Sequence, residues 1–416
     1  MIDPLLQWKR LLVVNPAWIA KVSYYARLKE LWVYLIVLAS SPAPWIQDYV
    51  DEWIIADVYD VHASISAIQH YQKTYMIDWV MTFWDDNVLL TAKITDYLGL
   101  PGIPYDTAYK IKNKYEFRKS CEQYWLPVAQ SHIIHTDADL DRAIDNMMFP
   151  IVLKPCYGAA STHTIKINHK TDLKETYYRV LSQNVEEVES FKNGLEFYVE
   201  EYLVWDEIDI DIIVQDGDIK FQNVMDNTIW EEPYFIEIWE SWPSVVDQDL
   251  QQKMFEITSQ TIRAFDLKNC ILHYEFKLTP KWPIPLEVNL RMWWGAIYKL
   301  VKSITNIDLI QSAAYIALWI PLTIKPSYTN EFFVSQYPLP DRSGIISRLD
   351  VAASLDQDPD IVEYSIFKKV WETMNIPPEW YDNFDLWCIV VKGQTHNDAK
   401  QKIQQVINDL HIETIS

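Results

Sequence analysis

Residues 271–291 read ILHYEFKLTPKWPIPLEVNLR, and their alternation decides the fold. In the first half His273, Glu275 and Lys277 share one face of a strand, and Tyr274, Phe276 and Leu278 share the other. In the second half Glu287, Asn289 and Arg291 lie opposite Leu286, Val288 and Leu290. Three prolines in the linker TPKWPIP turn the chain near residue 281, a register that sets Glu275 roughly opposite Glu287. Two carboxylates facing each other across a sheet repel, so the pairing is destabilising unless something positive lies between them. A hard divalent cation resolves the conflict, because Mg²⁺ is commonly held by one or two carboxylates plus substrate phosphates. Asn289 adds a neutral oxygen and Arg291 a positive group for an anion. The competing reading is a solvated face whose charges alternate by chance. The E-x-N-x-R order at the end of an apolar strand favours the metal.

Three other segments carry weaker signals. In KPCYGAAST (154–162) a lysine ends an apolar strand and a loop of small and hydroxyl residues follows. Such a loop brings backbone N–H groups close to phosphates, near Gly158, with Ser161 or Thr162 as further donors. It is not a Walker loop, because the lysine precedes the glycine; the bland alternative is an ordinary turn. In VEEYLVWDEIDIDIIV (199–214), the strand VEEYL offers backbone hydrogen bonds to a purine edge, and Glu207, Asp209 and Asp211 share a face of the next strand. A polar sheet face is the alternative there. Lys114, in KNKYEFRKS, is helix-borne. His163 and His273 read as structural, and Cys156 lacks a visible His–Asp pair to activate it.

Around these segments the pattern is α/β. Strand 9–15, helix 19–31 and strand 33–40 form a βαβ unit and hence a small parallel sheet, completed by strand 79–83 and a helix at 87–98. From about 106 a helix at 107–124 leads into strands 149–154, 164–168, 196–203, 207–214 and 218–224. Asp216-Gly217 is a hairpin signal. A helix at 247–265 precedes the strand pair 271–278 and 284–290. The expected domains are 1–105, 106–310 and 311–416, the last mixed α/β with an acidic stretch at Asp356–Asp360.

With 36 basic and 58 acidic residues the formal charge is −22, which disfavours nucleic acid and anionic membrane as partners. No window is long and apolar enough to span a bilayer. Four scattered cysteines form no CxxC pair and suit a reducing, cytoplasmic compartment. Eight Gly against 19 Trp inverts the usual abundance. Trp32 and Trp125 fall where helices hand over to strands, junctions at which glycine is the cheapest left-handed residue. Many such positions therefore read as descended from glycine, by drift or by design.

Taken in order, these pieces resemble an ATP-grasp enzyme of the carboxylate–amine ligase kind, similar to L-amino-acid ligase-like members. The likeness runs from LTAKITDYLGLPGIPYDTAYKIKNKYEFRKSCEQYWLPVA through IVLKPCYGAAST and VEEYLVWDE to HYEFKL and PLEVNLRMWWGAIYKLV. It implies an N-terminal Rossmann-like domain, a two-lobed ATP-grasp domain with antiparallel sheets and a C-terminal α/β subdomain. By position it assigns Lys114 and Lys154 to the nucleotide, with Gly158 and Ser161 in the phosphate loop. Glu200 and the backbone of Leu203 are assigned to the adenine edge, and Glu207 to the ribose. Glu275, Glu287 and Asn289 hold one or two Mg²⁺ ions (Mn²⁺ being an alternative), and Arg291 steadies the transferring phosphoryl group. PYFIEIWESWPSVV (233–246) resembles the substrate-side segment of ligases that make dipeptide-like products.

The implied reaction joins a small carboxylate to an amine, amino acids included, by way of an acyl phosphate. A homodimer is one implied assembly, and a catalytically silent nucleotide binder is the alternative function. The chain departs from the pattern at Trp18, Trp205, Trp293, Trp294 and His163, where the family tends to have glycine. Indoles there would crowd ATP or substrate, and any forced to φ > 0 would strain the backbone; replacing Trp293 and Trp294 with glycine is expected to increase ATP turnover.

Overall fold

The computed structural model describes residues 3–182, 189–230, 232–292, 297–350, 355–376 and 387–415. The apolar runs RLLVV and YLIVLA become β1 (Arg10–Val14) and β2 (Tyr34–Ala39), buried on both faces as parallel strands require. With β3 (Glu52–Ile55) and β4 (Trp79–Met81) they form a parallel sheet in the order β3-β2-β1-β4. Helices α1 (Val22–Glu30) and α2 (Val61–Gln72) connect β1 to β2 and β3 to β4, and α3 (Val88–Leu98) follows β4. The order reverses at β1, so a crevice forms beyond the carboxyl ends of β1 and β4, the place where open α/β sheets bind ligands.

The helix expected over 107–124 is two helices, α4 (Tyr105–Lys112) and α5 (Lys114–Gln123). Asn113 breaks the run with ψ 107°, and its side chain accepts the Glu116 N–H at 3.0 Å, capping α5. A second sheet follows in the order β5-β8-β6-β7, from β5 (Ser131–Ile134), β6 (Ile151–Pro155), β7 (Ile165–Ile167) and β8 (Phe197–Glu201). Helices α6 (Asp137–Asn146) and α7 (Asp172–Ser182) bury Leu140, Leu173 and Val180 against it.

The largest sheet has eight strands. Its first five are β13 (Ile284–Asn289), β12 (Cys270–Lys277), β9 (Glu207–Gln215), β10 (Asp218–Ile229) and β11 (Glu237–Trp242). Asp216 and Gly217, both at positive φ, turn β9 into β10 as the sequence indicated. One face of β9 sends Ile208, Ile210 and Ile212 into a core with Met254 and Ile257 of α8 (Gln248–Ala264). The opposite face presents Glu207, Asp209 and Asp211. The sheet continues across residue 311 through β14 (Phe332–Gln336), β18 (Trp387–Gly393) and β16 (Ile361–Ile366). A separate small sheet joins β15 (Gly344–Asp350) to β17 (Thr373–Met374) and β19 (His411–Ile415). Helices α9 (Ile297–Thr305) and α10 (Leu309–Ala317) pack between the N-terminal sheet and the large one, while α11 (His396–Asn408) covers β14 and β18.

Trp32 and Trp125 are left-handed, at φ 63° and 59°, as their places at helix ends implied. Each costs about 1–2 kcal/mol relative to glycine. Trp18 takes an extended φ of −105° and Trp205 is not left-handed, so backbone strain is absent at those two. His163 in the phosphate loop is left-handed at φ 55°. Trp293 and Trp294 lie outside the described residues.

Candidate functional site

One cleft between the four-stranded and eight-stranded sheets is lined by every nucleotide and metal residue read from the sequence except Asn289, which lies behind two of them. At one end, β8 carries Glu200 two positions out of register with Lys154 on β6, on the same face. One Glu200 oxygen takes Lys154 Nζ at 2.6 Å and the other takes Arg118 Nε at 2.8 Å. Arg118 is fully buried on α5 and its Nη1 also donates to the Leu286 carbonyl at 2.5 Å. Burial opposes ionisation of Glu200, but Arg118 and Lys154 outweigh it and hold the carboxyl down at about 2. With both oxygens engaged, Glu200 fixes Lys154 in the cleft, and Leu203, partly buried beyond it, also lines the cleft.

The loop after β6 comes next. Ala160, Ser161 and His163 are all left-handed, which turns the backbone of residues 159–164 into a tight concave path. Lys114 Nζ spans this loop and the metal end, 2.7 Å from the Gly158 carbonyl and 2.7 Å from Glu287. The Ser161 hydroxyl donates to the Phe235 carbonyl at 2.6 Å, so a phosphate would have to draw it away. His163 stacks on Phe191 and burial depresses it to about 4, in keeping with a structural role. Cys156 is buried and its thiol is pushed well up, first by burial and then by Glu196.

At the other end Glu275 and Glu287 stand directly opposite each other in the β12–β13 ladder, close to the rough register read from sequence, with a bulge between Glu275 and Phe276 completing the alignment. The Asn289 amide nitrogen bridges them, 3.1 Å from Glu275 and 2.9 Å from Glu287. It does by hydrogen bonding what a cation would do by charge; presenting its oxygen to an ion takes a half-turn of the amide. Glu207 and Glu237 approach the same place, their carboxylate oxygens and one of Glu275 lying within 4.8 Å of one another. Lys277 pairs with Glu207 at 3.2 Å. Glu237 and Asp209 each keep a buried oxygen without a hydrogen-bond partner. Burial first, and then a neighbouring carboxylate (Glu275 for Asp209, Asp209 for Glu237, Glu287 for Glu275), raises all three well above the usual carboxylate range. Glu287 goes the other way: Lys114 overcomes its burial and holds it low. An all-oxygen set with unsatisfied lone pairs fits a hard cation.

Arg291 is buried beside this end. Its Nε lies 3.2 Å from Asp85, which follows β4 in the N-terminal domain and is also paired with Lys112. Burial lowers the guanidinium to about 10 although Glu287 and Glu275 favour its charge. The reading from sequence did not find Asp85, Arg118 or Glu237. Asp85 lies 206 residues from its partner, and Glu237 lies in a short strand, EIWESW, whose alternation is blurred by tryptophan. His273 is fully buried, with Nδ1 3.1 Å from Asp211.

The free volume in the cleft is about 70 Å³, well short of the roughly 300–1,000 Å³ of small-molecule sites. A roomier cavity of about 770 Å³ opens at the carboxyl ends of β1 and β2, lined by Ser40, Ser41, Asp57 and Lys192, and reaches Ala160 of the phosphate loop.

Comparison with known proteins agrees with this arrangement. Residues 33–102 match the ATP-grasp N-terminal domain, and residues 147–297 match the ATP-grasp domain. The chain is 22% identical to an L-arginine-specific L-amino acid ligase of Bacillus subtilis over 404 residues, 95% of this chain and 96% of that protein. It is 22% identical to carnosine synthase 1 of Mus musculus over 75% of this chain, but spans only 40% of that protein's length. The crystal structure of an L-amino acid ligase from Bacillus licheniformis superposes with a TM-score of 0.84 at 18% identity, covering 99% of this chain and all of that one. With the acid-lined end of its cleft falling inside one matched segment and the parallel sheet largely inside the other, the chain belongs to the ATP-grasp superfamily.

Proposed function

We propose that the chain is an ATP-dependent carboxylate–amine ligase that joins amino acids. The observation that carries this reading is the Glu275–Glu287 pair, bridged by Asn289 beneath Lys114 and the left-handed loop. Glu275, Glu287 and Asn289, with Glu237 and Glu207 adjoining, would hold one or two Mg²⁺ ions, which when bound neutralise charge on the β- and γ-phosphates.

The chain's own residues do the rest. The loop at Gly158–Ser161 and Lys114 bind the phosphates, Lys154 is aimed by Glu200, and the backbone at Leu203 takes the adenine, with Glu207 at the ribose. Arg291, held by Asp85, faces the anion that develops as charge is transferred. A substrate carboxylate oxygen attacks the γ-phosphorus, the bond to ADP breaks, and an acyl phosphate results. An amine nitrogen then attacks its carbonyl carbon, phosphate departs with the bonding pair, and the nitrogen loses a proton. No nucleophilic side chain is needed, and positioning supplies most of the rate.

The substrates sit between the loop and the cavity beyond β1 and β2, with Phe235 and Glu237 of the 233–246 segment lining the cleft side. No described helix is long and apolar enough to cross a membrane. All four cysteines are free and buried, which supports a cytoplasmic setting; light scattering would test a homodimer.

The test is ADP and phosphate release across pairs of amino acids with Mg-ATP. Release that requires both an acid and an amine partner supports the ligase. A second reading, a nucleotide binder without turnover, draws on the left-handed, buried His163 in the loop where the resemblance expects glycine; calorimetric binding of Mg-ATP with no release on any pair would select it.

A further inference from the structure

Five tryptophans, at positions 8, 32, 125, 319 and 371, have φ between 58° and 77°. Bulky side chains are outliers in this region, whereas the left-handed Asn and Asp residues found elsewhere in the chain tolerate it. Three of the five complete the same device. After α1, Trp32 N–H reaches Lys29 O and Val33 N–H reaches Leu28 O; after α5, Trp125 reaches Glu122 and Leu126 reaches Cys121. After α10, Trp319 reaches Ile316 and Ile320 reaches Tyr315. This is the two-bond helix ending whose left-handed residue is normally glycine. At the end of α3 the same two bonds form at Gly99, φ 64°. Trp371 is the third residue of a turn closed by Glu372 N–H to Lys369 O, where φ near +80° calls for glycine.

The indoles gain little in return for this backbone. Trp125 is 91% exposed, Trp319 71% and Trp371 73%. Trp79 and Trp242, by contrast, are buried and not left-handed. Among the described tryptophans some are packed in cores and these five stand on left-handed backbones of the kind glycine favours, in a chain with only eight glycines in 416 residues.

We infer that positions 8, 32, 125, 319 and 371 are filled by glycine in the cell that makes this protein, through a codon that cell reads as glycine and other cells read as tryptophan. UGA is the codon with that property, since its reading as stop, tryptophan or glycine depends on the tRNAs present. UGG would then mark the core tryptophans. The inference stands on backbone geometry and is independent of the ligase reading.

The codons themselves are the first test. UGA at all five positions with UGG at Trp79 and Trp242 is the expected result; UGG at the five overturns the inference. Mass spectrometry of the protein isolated from its own cells is the second. Peptides spanning residues 125 and 319 carry the glycine mass if the inference holds and the tryptophan mass if it fails. As a stability check, the fivefold Trp→Gly chain melts above the all-tryptophan chain, whereas Trp79→Gly melts below it; a fivefold variant that melts lower counts against the inference.

Discussion

The two ends of the cleft solve the problem of buried charge in opposite ways. At the adenine end Glu200 meets Arg118 and Lys154, and the set is balanced within the chain. At the metal end Asp209, Glu237 and Glu275 crowd together, while the nearby lysines are committed to Glu287 and Glu207. One end is complete as folded; the other keeps buried carboxylate oxygens without a partner, which is where the proposed cation would bind. The pH dependence differs in sign accordingly. Glu200 ionises more readily folded than unfolded, so its contribution is present above about pH 4.5 and lost as pH falls towards 2. Asp209, Glu237 and Glu275 ionise less readily folded, so the metal-free chain loses stability as pH rises above the ordinary carboxylate range.

The contrast breaks most sharply at Arg118. Arg118→Met leaves Glu200 buried against Lys154 alone, and denaturant melts should show a loss of about 3–5 kcal/mol with or without Mg²⁺. At the other end Glu287→Gln should lower phosphate release by on the order of 10²–10³ while the chain stays folded, the scale expected for removing one group that stabilises developing charge. A variant retaining near-full release would separate Glu287 from the metal. Mg²⁺ itself should raise stability by about 2.7 kcal/mol at a hundredfold excess over its dissociation constant, and Glu275→Gln should abolish that gain. If Mg²⁺ protects the Glu275→Gln chain as well as the parent, the cation sits elsewhere. Asp85→Asn loosens Arg291 without touching the cleft floor; kcat should fall several-fold with ATP affinity unchanged, and Asp85→Glu should restore part of it. The smallest effect belongs to the helix ends, where Trp125→Gly alone should stabilise by about 1–2 kcal/mol in a thermal melt.

The faces at the metal end were legible because alternation has a period of two, but the exact pairing was not: counted from the turn, Phe276 opposes Pro285, and a bulge before Glu275 is what sets it against Glu287. The parallel sheet was legible from its continuous apolar runs, though β3, EWII with only Ile54 buried, carries too little of such a run to register. The break at Asn113 escaped because helical periodicity continues on both sides of it, and only the capping side chain marks the join. Asp85 escaped for a different reason. Its meaning comes from Arg291 and Lys112, which the fold brings to it from two other segments, and no local pattern records such a meeting. The tryptophan excess was visible as a count; its division into core residues and left-handed ones needed backbone angles.

The large sheet's passage through residue 311 bears on how the protein can be dissected. Cutting the chain before Phe332 would strip β14, β18 and β16 from β11 and leave that strand's amides and carbonyls open along its free side. A bare flat edge of this kind recruits other chains, so a fragment ending near 310 should aggregate even though it retains the described metal-end carboxylates.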